Sequence, residues 1–188
     1  FKIGIIGLGY VGLPLAVAFA SKYQVIGFDI KTKRVEELQR ANDTTLEVTN
    51  KELKNSLISN TRNGLTITSA VHDIKKANVY IITVPTPIND QRQPLLTPLK
   101  KACETVASVL KKGDVVIIES TVYPGATEEF CVPILEENSQ LRYNVDFYCG
   151  YSPERINPGD KVHTITKIKK VVSGSNEHAL KMVTDIYK

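Results

Sequence analysis

Gly7, Gly9 and Gly12 interrupt an apolar run in FKIGIIGLGYVGLPLAVAFA, and Asp29 closes the next one, YQVIGFDI. Glycine suits a backbone that must turn sharply or approach a ligand, because it has no Cβ to obstruct either. GLGYVG follows a strand pattern and opens a helical one, the context in which three glycines so spaced hold a dinucleotide. Gly7 then permits the tight turn, Gly9 lets the main chain approach a diphosphate, and Gly12 lets helix and strand pack closely. The amides of Tyr10 and Val11 face the diphosphate, with the positive end of the helix dipole behind them. A carboxylate roughly 20 residues on meets the adenosine ribose hydroxyls, and Asp29 occupies that place. It also repels a 2′-phosphate, so the pattern selects NAD over NADP. Lys31, Lys33 and Arg34 follow closely; read as charges on a solvated helix face, they leave that preference standing.

Two further stretches carry hydroxyls at strand ends. IITVPTP (81–87) sets Thr86 between Pro85 and Pro87, and prolines hold a rigid, extended loop that cannot continue a ladder. ESTVYPG (119–125) repeats the arrangement with Ser120 and Thr121 before a Pro-Gly turn. Ligands of open α/β sheets lie beyond the carboxyl ends of the strands, which directs both threonines to the nicotinamide half of a crevice. Each also fits a plain turn or cap residue. A third stretch, YSPERINPGD (151–160), places Glu154 and Arg155 in a proline-punctuated loop; on these residues alone, a surface ion pair is an equal reading.

The elements that must position these residues alternate along the chain. Strand patterns cover 2–6, 23–29, 65–69, 78–84, 114–120 and 145–151, with a short one at 169–174. They are β-branched and apolar on both faces, as in a parallel sheet covered on both sides. Helical patterns cover 11–21, 31–41, 50–58, 71–77, 98–111, 125–138 and 176–187. The alternation predicts one α/β domain over 1–188, a doubly wound Rossmann-type parallel sheet with helices on both faces.

The remaining composition excludes several classes. With 42% hydrophobic and 23% charged residues and a net charge of +4, the chain shows no basic stripe for nucleic acid. No apolar run reaches the ~20 residues that span a bilayer, and no secretory signal is evident. Cys103, Cys131 and Cys149 form no CxxC and have no histidine at metal spacing, so the expectation is reduced thiols in a cytoplasmic protein and no metal. The Asn42-Asp43-Thr44 sequon is read as chance without such a signal. Because Phe1 stands almost inside the first strand and is not methionine, the chain is expected to be a piece of a longer one.

Taken in order, GLGYVGLPLA, Asp29 with Arg34, VPTP, ESTVYPG and SPERINPGD resemble the amino-terminal domain of the UDP-glucose/GDP-mannose dehydrogenase family. SPERINPGD is most similar to the branch oxidising UDP-N-acetylhexosamines for bacterial capsular and Vi-type polysaccharides. The resemblance implies oxidation of a sugar C6 alcohol to a carboxylate with two NAD in succession. A cysteine thiohemiacetal and then a thioester intervene, and water releases the uronate. It further implies that Gly7, Gly9, Val11, Gly12, Asp29 and Arg34 bind the adenosine and diphosphate. Thr86, with Pro85 before it, and Thr121 would contact the cofactor. Thr121 would also position a catalytic water, with Glu154 beside it in acid–base work. Arg155 and Asn157 would approach the sugar nucleotide. The full-length enzyme would be a cytoplasmic homo-oligomer.

Two departures accompany the resemblance. In the UDP-glucose branch a second acid follows SPE where this chain has Pro158, and many relatives read Pro-Asp-Leu where it has Pro94-Leu95-Leu96. The family's nucleophilic cysteine, with its oxyanion-stabilising lysine and asparagine, belongs to a later Gly-rich domain, so none of the three cysteines here is assigned that role. Other readings are UDP-glucose 6-dehydrogenase, another two-domain NAD dehydrogenase, or a non-catalytic NAD-binding module.

Overall fold

The computed structural model describes residues 1–58, 60, 62–154 and 169–188. Arg155, Asn157 and Pro158 lie outside the described residues. Seven strands form one sheet: β1 (Lys2–Ile6), β2 (Gln24–Phe28), β3 (Gly64–Thr68), β4 (Val79–Ile82), β5 (Val115–Ile118), β6 (Tyr148–Tyr151) and β7 (Ser173–Gly174). Their order is β3-β2-β1-β4-β5-β6-β7. The first six are parallel, with Ile5 opposite Gly27 on one side and Ile81 on the other. The chain crosses from β3 at one edge to β4 beside β1, so the topological switch lies between β1 and β4.

Helices α1 (Gly12–Ala20), α2 (Thr32–Gln39), α3 (Asn50–Ser56), α4 (Val71–Ile74), α5 (Thr97–Ala107), α6 (Val132–Ser139) and α7 (Glu177–Tyr187) cover the sheet. Because successive side chains of a strand point to opposite faces, Ile81 and Ile117 enter one core with Leu13, Leu15, Leu38, Leu53 and Val183. Ile82 and Ile118 enter the other with Ile74, Leu99, Cys103, Val106 and Leu135. Every residue of β4 and β5 is buried, and this is why their sequences read as continuous apolar runs.

Two expectations need correction. The short strand expected over 169–174 is reduced to Ser173–Gly174, which pairs antiparallel with β6 through Gly150–Gly174 and Tyr151–Ser173 at the edge of the otherwise parallel sheet. The helix expected over 125–138 starts as a π-helical turn, Thr127–Cys131, and becomes α-helical only at Val132. Pro133 lacks the N–H that a regular helix would donate back to Glu129, and a wider turn before it accommodates the loss. Among the described residues no helix is long and apolar enough to cross a membrane.

Candidate functional site

The glycine turn leaves the sheet where β1 ends. Gly7 adopts φ +98°, closed to most side chains, and its amide still bonds to Phe28 O at 2.8 Å. A Cβ on Gly12 would lie 1.9 Å from Gly7 O and 2.4 Å from Thr83 Oγ1, so nothing larger fits between helix and strand there. A Cβ on Gly9 would meet nothing within 4 Å. The three glycines therefore serve two purposes. Gly7 and Gly12 are demanded by the fold, whereas Gly9 opens onto unfilled space in front of α1. That helix begins at Val11 with no side-chain cap and no acid in its first turn, so its amide end is offered to an anion.

Asp29 lies beyond the last residue of β2. Its Oδ2 accepts from Leu8 N and its Oδ1 from Lys31 N, both at 2.9 Å, so the carboxylate is oriented by the glycine turn itself. Arg34 lies behind it with its guanidinium only 10% exposed. Nε donates to Leu8 O at 3.0 Å, and one terminal nitrogen donates to Asp43 at 2.8 Å. Burial pushes the Asp43 carboxyl up, but hydrogen bonds from the Thr45 hydroxyl, Arg34 and the Val48 and Thr45 amides outweigh this and hold it below the ordinary value. Arg34 thus braces the turn and ties it to the loop before α3. The Gly9 opening, the uncapped helix and the oriented carboxylate fit the diphosphate and ribose of a dinucleotide.

The two proline-flanked loops meet. The Thr86 hydroxyl donates to Thr121 O at 2.5 Å, and Ser120 Oγ donates to Val84 O at 2.6 Å. Thr83, which the sequence reading passed over, donates from its buried hydroxyl to Gly7 O at 2.8 Å. One chain of bonds thus links the glycine turn, the loop after β4 and the loop after β5 along the carboxyl edge.

Beside this edge lies a buried group of charges. Lys170 Nζ donates to Glu119 Oε2 at 3.0 Å and to Glu154 Oε2 at 2.8 Å, and the Tyr187 hydroxyl of α7 donates to Glu119 Oε1. Burial pushes Glu119 up; Lys170 and Tyr187 work against that shift. Glu119 was visible in the sequence as a lone acid ending the apolar run of β5. Nothing local pointed to Lys170 or Tyr187, which reach the group through the return of the chain from β6 to α7.

The cysteines are all buried and unpaired by disulfides. The Cys103 thiol is pushed up by its hydrogen bond with Cys131 and by burial, and Cys149 is pushed up by burial, the opposite of what a reactive thiolate needs. Among the described residues no cluster of His, Cys, Asp or Glu suits a metal. The structure brings Gly7, Gly9, Tyr10, Val11, Gly12 and Asp29 to one end of the crevice. Val84, Pro85, Thr86 and Thr121 form the neighbouring loops, and Glu154 stands at the end of β6.

The chain is 56% identical over 187 residues to a UDP-N-acetyl-D-glucosamine 6-dehydrogenase of Pseudomonas aeruginosa, covering 100% of this chain and 43% of that one. It is 54% identical to Protein CapL of Staphylococcus aureus, covering 99% and 42%. The solved UDP-D-ManNAc dehydrogenase of Pyrococcus horikoshii superposes with a TM-score of 0.89 at 37% identity, covering 100% and 44%. The chain thus spans less than half the length of these relatives. Residues 1–188 match the family model in full, and the chain belongs to the UDP-glucose/GDP-mannose dehydrogenase family, as its NAD binding domain.

Proposed function

We propose that this chain is the amino-terminal, NAD-binding part of an enzyme that oxidises the C6 alcohol of a UDP-N-acetylhexosamine to the uronate, for a surface polysaccharide. The observation carrying this reading is the junction of an NAD cradle with a buried acid. The Gly7–Gly12 turn and Asp29 hold one end of the crevice, and Glu154 lies at the other, across the tied loops of Thr86 and Thr121. The N-acetylhexosamine substrate is supported by the printed activity of the Pseudomonas aeruginosa relative, 56% identical over the whole chain.

Bound NAD supplies the hydride acceptor. The chain's own residues bind and orient that cofactor and handle the water. The α1 amides and Gly9 bind the diphosphate, Asp29 accepts from the ribose hydroxyls, and Arg34 keeps the turn in shape. The Thr86–Thr121 bond fixes the floor on which the nicotinamide lies. Thr121 holds a water, and Glu154 takes a proton from it when the acyl group is released; such assistance is worth about 10²–10⁴-fold. No accessible thiolate is found among this chain's cysteines, so the nucleophile belongs to a further part of the enzyme.

The test is NADH production by the full-length protein with UDP-N-acetylglucosamine, UDP-N-acetylgalactosamine and UDP-glucose. An N-acetylhexosamine is expected to be oxidised at least tenfold better than UDP-glucose in kcat/KM. Preference for UDP-glucose would overturn the substrate, and activity with none of them would overturn the reading.

A further inference from the structure

Lys170, Glu119 and Glu154 have side-chain exposures of 8%, 0% and 8%, so two carboxylates and one ammonium are enclosed together at the carboxyl edge of the sheet. Enclosed charges cost desolvation, and apolar residues of similar volume would often stabilise a fold as well or better. The trio is thus poorly explained by stability. Its geometry has a direction. Glu119 is fixed by its place after β5 and by the Tyr187 hydroxyl; Tyr187 also sets its ring 5.8 Å from Lys170 Nζ. Lys170, held from that side, reaches Glu154 Oε2 at 2.8 Å. Glu119 directly precedes Ser120 and Thr121, so the support begins on the strand that carries the water-holding loop.

We propose that Lys170 is a positioning residue for Glu154, holding its carboxylate aimed at the water beside Thr121. This rests on the function proposed above. In the step concerned, the water oxygen bonds to the thioester carbon while one of its protons passes to Glu154. The carbon–sulfur bond then breaks, the sulfur keeps the electron pair as thiolate, and the uronic acid loses its proton to solvent. Without Lys170 the acid can turn away, and release slows while the first hydride transfer does not.

The experiment compares Lys170→Met, Lys170→Arg, Glu154→Gln and the Lys170→Met/Glu154→Gln double variant of the full-length enzyme. The first NADH is followed in single turnover and the acyl-enzyme by intact-protein mass spectrometry. Lys170→Met is expected to slow uronate release on the order of 10²-fold, with acyl-enzyme accumulating and the first NADH near its wild-type rate. The double variant should be no slower than Glu154→Gln, because the two residues act as a unit. Lys170→Arg should restore most of the rate. If Lys170→Met does not fold, Lys170→Gln removes the charge while keeping hydrogen-bond donors and answers the same question. Equal slowing of both phases, or full additivity with Glu154→Gln, would overturn the assignment while leaving the function intact. A wild-type enzyme oxidising no UDP-sugar would overturn both.

Discussion

The Thr86 hydroxyl donates its hydrogen bond to the carbonyl oxygen of Thr121, 35 residues away, and so joins the loops that follow β4 and β5. A neutral hydrogen bond of this kind contributes about 1 kcal/mol. Its larger consequence is to hold two loops in register where the proposed function sets the nicotinamide. Thr86→Val keeps the shape and removes the donor. It should lower stability by about 1 kcal/mol and weaken NAD binding several-fold, with faster amide exchange across 121–125. Unchanged exchange there would show that the loops do not depend on the bond.

The glycines separate folding from binding. A Cβ on Gly12 overlaps Gly7 O, so Gly12→Ala should cost about 1–3 kcal/mol of stability by overpacking. Gly9→Ala has open space to occupy and should leave stability within about 0.5 kcal/mol, yet it fills the place proposed for the diphosphate and should weaken NAD binding. Chemical denaturation and an NAD titration of both variants check the contrast; a Gly9→Ala chain that binds NAD normally would move the diphosphate elsewhere.

Asp29 has both oxygens engaged by backbone amides of the turn and the α2 entry, so its charge is fixed in place. Asp29→Ala removes the ribose acceptor and the repulsion of a 2′-phosphate together. NAD affinity should fall about tenfold, from hydrogen bonds to a charged group worth about 1.5–3 kcal/mol, and the NAD-over-NADP ratio should shrink. Calorimetry with both cofactors reads the ratio directly.

Asp43 is held below its ordinary value of 3.8 in the folded chain. Its stabilising contribution is therefore fully present above that value and is lost as pH falls through the lower, folded value. Asp43→Asn breaks a buried pair with Arg34 and should cost about 3 kcal/mol near neutral pH. The gap between wild type and variant should close as pH drops below about 4. Urea unfolding across that range checks both the size and the sign; a gap that widens on acidification would contradict the pairing.

Most of the scaffold was legible because its signals are local. A run buried on both faces reads as apolar throughout, and β4, β5 and β1 after Lys2 are such runs. The glycine turn and the strand-end Asp29 were legible because they lie in one βαβ unit at fixed spacing. The antiparallel β7 and the π-helical turn before Pro133 were not, since one depends on the path of the returning chain and the other on a single missing donor. Lys170 and Tyr187 escaped for the first of these reasons, and with them the grouping around Glu119. A buried ammonium between two acids far apart in sequence leaves no periodic mark. Arg34 was legible as a basic residue near Asp29, but its bonds to Leu8 O and Asp43 depend on how the loop before α3 folds back.

On the proposed function, the glycine turn and Asp29 form an NAD cradle complete within this chain, whereas the thiol chemistry lies elsewhere. The most direct measurement is a calorimetric titration of the 188-residue chain with NAD and with NADP, followed by incubation with NAD and UDP-N-acetylglucosamine while NADH absorbance is monitored. The account predicts saturable binding of one NAD, NADP weaker by at least tenfold, and no sustained NADH above a heat-killed control. Equal or tighter NADP binding would contradict the role of Asp29. Sustained NADH would mean that a cysteine within the chain is the nucleophile, with Cys131 and Cys149 the first to mutate.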